Sequence, residues 1–291
     1  MSALATLFLV GGGVAAGWFW WHGSLGGVLP VQPHCTATAS GTTVELEPEQ
    51  AANAATIAAV AVRRGLPGRA ATIGIATALQ ESKLVNLDGG DRDSIGLFQQ
   101  RPSQGWGTAA QVHDPVYATN AFYDVLVTIE GYESLPITTA AQRVQRSAFP
   151  SAYAEHEPAA RVWSSVLTGY SPAALSCVLQ DVGGARQAPG PGGLTPRARA
   201  LASAASAATG RSALLVPGTA GSALRFVPTA REPVRTAWAL AQWAVAGADT
   251  YGVTAVEVDG RQWRRDHGED GWTSMRTAAP AAGSVVVRLA P

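Results

Sequence analysis

The chain has 291 residues, enough for two domains once an N-terminal segment is set aside. It is 47% apolar and only 14% charged, with 21 basic residues balancing 21 acidic ones. With no net charge and no polybasic tract, nothing in it points to nucleic-acid binding.

Ser2 to Trp21 is uncharged and almost wholly apolar. Such a stretch is long enough to cross a bilayer as a helix, and the Trp18-Phe19-Trp20-Trp21 cluster suits a membrane-water interface. No small-x-small cleavage pattern follows at His22-Gly23-Ser24. The expectation is an uncleaved, single-pass transmembrane anchor over 1–22 that leaves the folded part outside the cytoplasm; a removed signal peptide is the alternative. Residues 23–42 read as a tether rich in Gly, Pro, Ser and Thr.

A first folded domain is expected over 43–179. Pro48 sits where a helix tolerates proline, flanked by Glu47 and Glu49, so a helix should start there. It should run through Ala51–Val62 and stop at Arg63-Arg64-Gly65. Gly68 to Gln80 reads as a second helix, apolar nearly all round and therefore buried. Asp88 to Trp106 reads as loop with short extended pieces. Further helices are expected over Val116–Ile129, Ala140–Arg146 and Ala159–Leu167, with an aromatic loop, Ser147–His156, between the last two.

The two cysteines, Cys35 and Cys177, bracket this domain. Outside the cytoplasm a pair so placed is expected to form a disulfide; two unrelated buried thiols are the alternative. The spacing around them matches no metal-site pattern, so no metal site is read there.

Residues 180–193, with five glycines and two prolines, read as a linker. Residues 194–291 read as an α+β domain. Its helices are expected over Leu194–Ala208 and Pro233–Ala246, and its strands over Ala213–Val216, Ala255–Val258 and Ser284–Leu289. The fold class expected is therefore an N-terminal transmembrane helix, a mainly α domain and a C-terminal α+β domain.

The chemistry concentrates in Ala76–Trp106. Glu81 is the first acidic residue after the long apolar run from Ala51, and a Gly-rich loop with Asp88, Asp91 and Asp93 follows it. A carboxyl group in apolar surroundings holds its proton to higher pH. A protonated Glu facing an ionised Asp is the pairing glycoside cleavage uses. The plainer readings are a helix-terminal Glu with a local hydrogen bond, and aspartates that form turns or hold a cation; no calcium-loop pattern is present.

Glu81-Ser82 followed by Ser94-x-Gly96-Leu97-Phe98-Gln99 resembles the signature of soluble lytic transglycosylases, with Phe98 where that family carries Met. Gly90-Asp91-Arg92 resembles goose-type lysozymes, which share the lysozyme-like fold. Asp114-Pro115 and Asn120–Leu126 resemble the helix that follows in the same group. The resemblance spans roughly 45–170, and the family's later Ala-Tyr-Asn-Ala-Gly segment is not found. It implies a mainly α, lysozyme-like domain that cleaves peptidoglycan glycan strands without a cofactor. It implies Glu81 as general acid and Asp91 as a candidate base. Ser94, Gln99 and Gln100 would line the cleft, with Trp106 and Tyr153 as candidate sugar-stacking faces. His113, His156 and His267 are read as isolated surface residues.

In the second half, Gly221-Ser222-Ala223, Ala237–Trp243, Val258–Trp263 and Gly271-Trp272 resemble a Hedgehog/DD-peptidase-like module of actinobacterial wall proteins. Where that module carries zinc ligands this chain has Leu224, Arg231, Ser284 and Val286, so no metal is expected. The reading that results is a membrane-anchored lytic transglycosylase or muramidase acting on the cell wall. The rivals are a non-catalytic peptidoglycan-binding or scaffold protein, and a wall-remodelling component of a secretion or conjugation system.

Overall fold

The computed structural model describes residues 32–147, 151–227, 232–276 and 280–291. The chain enters through a hairpin, β1 (His34–Ala39) and β2 (Thr42–Leu46), turned at Ser40-Gly41 with both residues at positive φ. Along β1 the side chains alternate, and Cys35, Ala37 and Ala39 point inward.

Two helices carry the first core. Helix α1 (Pro48–Arg63) starts with proline in its first turn, and the Glu47 amide donates to the Gln50 side chain at 2.9 Å. Helix α2 (Gly68–Ser82) is buried almost all round. Its Gly74 is a contact point: a Cβ there would stand 2.8 Å from Ile57 Cγ2 and 2.9 Å from the Tyr123 hydroxyl. Glycine is what lets α1 and α2 approach so closely.

Short α3 (Ala109–His113) leads to α4 (Pro115–Leu126), where Asp114 caps the start by accepting from the Tyr117 amide at 2.8 Å. Then come α5 (Ile137–Gln145), a 3-10 helix over Ala152–His156, and α6 (Glu157–Leu167), which lies along α2. Strand β3 (Leu175–Val178) closes the first sheet against β1, in the order β2-β1-β3.

The second half opens with α7 (Pro196–Thr209), followed by β4 (Leu214–Leu215), β5 (Ala223–Phe226), α8 (Pro233–Ala246) and the single turn α9 (Ala248–Tyr251). Strands β6 (Val253–Val258), β7 (Arg261–Arg264), β8 (Trp272–Ser274) and β9 (Val285–Leu289) complete an antiparallel sheet ordered β4-β5-β9-β6-β7-β8. Helix α8 is buried from Ala237 to Ala246 because it packs on β6 with one side and on α1 and α6 with the other.

Buried polar bonds cross between the halves, and Pro33–Pro291 packs as one unit. Gln242 of α8 donates to the Val166 carbonyl at 2.5 Å and accepts from the Ala174 amide at 2.9 Å. The Trp263 indole donates to Ser176 Oγ at 3.0 Å, and the Trp272 indole to the Leu175 carbonyl at 2.8 Å.

The expected fold class is corrected on two counts. The structure is 47% helix and 16% strand with two antiparallel sheets, so the first half is not simply a helical domain. His34–Ala39, read as part of a tether, is the central strand of its sheet. The transmembrane helix expected over Ser2–Trp21 lies outside the described residues. Among those described, no helix is long and apolar enough to cross a membrane.

Candidate functional site

Glu81 sits one residue before the end of α2, partly exposed. The helix stops there because Lys83 and Leu84 turn to positive φ. The side chain is held by a residue far away in sequence: the Tyr153 hydroxyl donates to Glu81 Oε1 at 2.7 Å. Tyr153 is fully buried, so it presents no face for a sugar to stack on, the role expected for it. Burial first, and then the Glu81 charge, push its pKa well above the usual tyrosine range, which keeps the hydroxyl a donor.

Tyr153 and His156 lie three apart on the 3-10 helix, a spacing that puts side chains on one face. Both meet the end of α2, since a His156 ring nitrogen pairs with Gln80 Oε1 at 2.9 Å. His156, read as a surface residue, is half-buried. Desolvation, and after it the charge of Lys83, depress its pKa below 6.5, with Glu155 opposing.

The motif after Glu81 folds against the same helix end. Ile95 and Gln100 exchange both backbone hydrogen bonds, at 3.0 and 3.1 Å, and make a tight hairpin. Ser82 Oγ donates to the Leu97 carbonyl at 2.8 Å and so ties helix to hairpin. Leu97 and Phe98 are buried, with Phe98 stacked on Phe122 at 4.7 Å between centroids. Gln145 of α5 donates to the Phe98 carbonyl at 2.8 Å.

The other expected site residues occupy distinct environments. Ser94 is buried and its Oγ accepts from Arg101 Nε at 3.0 Å. The same Arg101 forms an ion pair with Asp91 Oδ2 at 2.7 Å. Asp91 itself remains open to solvent. Arg101, absent from the sequence reading, thus fixes the loop that carries Asp91. Gln99 is partly exposed, at positive φ, and its side chain lies against the Gly90 backbone, where a Cβ would collide with it. Gln100 is buried and donates to the Ala118 carbonyl at 3.1 Å, which braces α4. Trp106 is half-buried against the core. Asp93 accepts from the Ser103 amide at 2.8 Å and its hydroxyl at 3.0 Å, and these bonds hold its carboxyl below the usual range.

Cys35 and Cys177 form a disulfide as directly opposed partners of β1 and β3. In the second half, Leu224, Ser284 and Val286 are buried in and beside β5 and β9, while Arg231 lies outside the described residues. Among the described residues no three His, Cys, Asp or Glu side chains converge to hold a metal ion.

Two cavities lie along the seam between the halves. One of about 450 Å³ is lined by α1, α8 and the Thr209–Arg211 turn. Another, of about 540 Å³, lies between α1, the start of α4, α7 and α9. Neither is lined by Glu81. Compared with known proteins, the chain matches no family model and no curated protein.

Proposed function

We propose that the protein cleaves the glycan strands of peptidoglycan, as a lytic transglycosylase or a muramidase, with Glu81 as the general acid. The observation that carries this reading is the 2.7 Å hydrogen bond from buried Tyr153 to Glu81 Oε1. It occupies one carboxyl oxygen and leaves Oε2 to bear the proton. Glu81 transfers that proton to the glycosidic oxygen as the bond to the sugar breaks, and the Tyr153 bond then stabilises the carboxylate left behind. Such chemistry asks for no cofactor. The resemblance of Glu81-Ser82 and Ser94–Gln99 to lytic transglycosylases supplies the substrate class.

On the lytic route the second step is intramolecular: a hydroxyl of the same sugar attacks its anomeric carbon, gives its proton to the Glu81 carboxylate, and leaves an anhydro end. Asp91 is a poor base for water here, since one oxygen is taken by Arg101 and the side chain is largely solvated. The Cys35–Cys177 bridge supports a place outside the cytoplasm, where disulfides persist. The rival reading, a wall-binding protein without turnover, draws on the seam cavities, which Glu81 does not line.

Digestion of purified peptidoglycan separates the two. The wild type should release soluble muropeptides, and Glu81→Gln should lose about 10²–10⁴-fold in rate with an unchanged melting temperature. Equal rates for the two proteins would refute the assignment, and binding without release by both would favour the rival.

A further inference from the structure

Strands β6 and β9 pack one face on α8, and register fixes what the other face carries. Val256 pairs with Trp263 of β7 and Val287 of β9, and these three are fully buried on the inner face. Their neighbours along each strand point the other way. Ala255 therefore stands between Arg264 and Arg288 on the outer face, and Glu257 between Gln262 and Val286. The short side chain of Ala255 leaves a hollow between the two arginines. It belongs to a cavity of about 530 Å³, the size of a small-molecule site.

One carboxylate of this face is buried. Glu257 is 9% exposed, and its Oε1 accepts from Arg288 Nε at 2.5 Å. Its Oε2 makes no hydrogen bond among the described residues and is not one of their sealed polar atoms, so it opens to the cavity that Glu257 lines. The Arg288 side chain is 45% exposed, and its two terminal nitrogens make no hydrogen bond among the described residues. The neighbouring guanidiniums are committed to the protein. Arg264 is bound twice by Asp266, at 3.0 and 2.6 Å. Arg265 spends its nitrogens on the Gln180, Ala248 and Val253 carbonyls and on Asp249. In the described wall Arg264, Arg265 and Arg288 balance Glu257, Asp266 and Asp181, so a ligand with a large net charge of either sign meets repulsion as well as attraction. What stays open is a carboxylate oxygen beside a guanidinium, fixed on neighbouring strands.

We propose that this cavity binds a small zwitterion, an α-amino acid with an aliphatic side chain. Its ammonium donates to Glu257 Oε2 and its carboxylate accepts from the terminal nitrogens of Arg288, so that charges alternate in sign around the site. Its side chain lies toward Val182, Ala255 and Ala290 of the wall. A neutral amide would make the same two hydrogen bonds without charge on the ligand side, and more weakly. The proposal does not depend on Glu81 or on glycan cleavage.

The test is calorimetric titration of the full-length protein with L-leucine, with N-acetyl-leucine, which lacks the ammonium, and with leucinamide, which lacks the carboxylate. Leucine should bind saturably, and each of the other two at least about tenfold more weakly. Arg288→Gln keeps a donor for Glu257 and should abolish the preference for leucine over leucinamide. Glu257→Gln should abolish the preference over N-acetyl-leucine. If Glu257→Gln unfolds, Arg288→Gln, at the more exposed partner, still decides, and the comparison of the three ligands on the wild type stands by itself. No saturable binding of leucine, equal affinity for leucine and either analogue, or a preference over leucinamide that survives in folded Arg288→Gln would overturn the proposal.

Discussion

The hydroxyl of Tyr153 donates to Oε1 of Glu81 at 2.7 Å, across 72 positions of sequence. Tyr153 has no exposed surface, so this bond is the visible consequence of its hydroxyl at the helix end. Tyr153→Phe should keep the fold and lower kcat by about 10–100-fold, the range for removing a hydrogen bond to a charged group. KM should barely change, because the phenol does not reach substrate. Steady-state kinetics on solubilised glycan strands would check it. A large rise in KM with kcat preserved would place Tyr153 in substrate binding instead.

Asp91 and Arg101 give a second prediction, about product chemistry. With Asp91 held by Arg101 and not acting on water, Asp91→Asn should retain activity within about tenfold, below the usual value of general-base help. Mass spectrometry of the muropeptides should find anhydro ends from both proteins. Reducing ends from the wild type, with a loss of about 10²-fold or more in the variant, would assign Asp91 the base role and the reaction to hydrolysis.

His156 predicts a pH dependence of stability. Its folded pKa lies below 6.5, set first by desolvation against the end of α2 and then by Lys83. The unfolded chain therefore takes up the proton first as pH falls. The stability contributed by neutral His156 is complete above pH 6.5 and is lost as pH drops through the lower folded value. His156→Gln should flatten that part of the profile in urea unfolding between about pH 7 and 5. An unchanged slope would mean that other groups carry the acid sensitivity.

The parts of this fold legible from sequence are those with local signals. Pro48 and Arg63-Arg64-Gly65 bound α1, and Pro233 marks the start of α8. Strand β1 was not legible, because HCTATA contrasts small residues with threonine, and its alternation carries almost no hydropathy signal. Its partner β3 lies 142 residues away, joined through Cys35 and Cys177. At the site, Glu81 stood out as a lone carboxylate after an apolar run. Tyr153 and His156 did not, because their roles arise where a 3-10 helix meets the end of α2. Arg101 follows the Ser94–Gln100 motif directly, and a lone cation after a loop with three aspartates was the available cue.

Gln242 carries the last prediction, which concerns how the two halves hold together. It is fully buried on α8 and bridges two backbone groups of the first half, the Val166 carbonyl and the Ala174 amide. Gln242→Leu keeps the volume close but strands the Ala174 amide, while the Val166 carbonyl keeps its bond from the Gly169 amide at 3.0 Å. The stranded amide costs about 1–3 kcal/mol, so the variant should lose about that much. Because α8 packs on α1 and α6 as well as on its own sheet, unfolding of the wild type should be one cooperative transition with the disulfide intact. Calorimetry and near-ultraviolet circular dichroism should then report the same midpoint, shifted together in the variant. Two separated transitions in the wild type, or a variant that lowers only the second of them, would show that the halves fold independently and that the Gln242 bridge contributes little to the first.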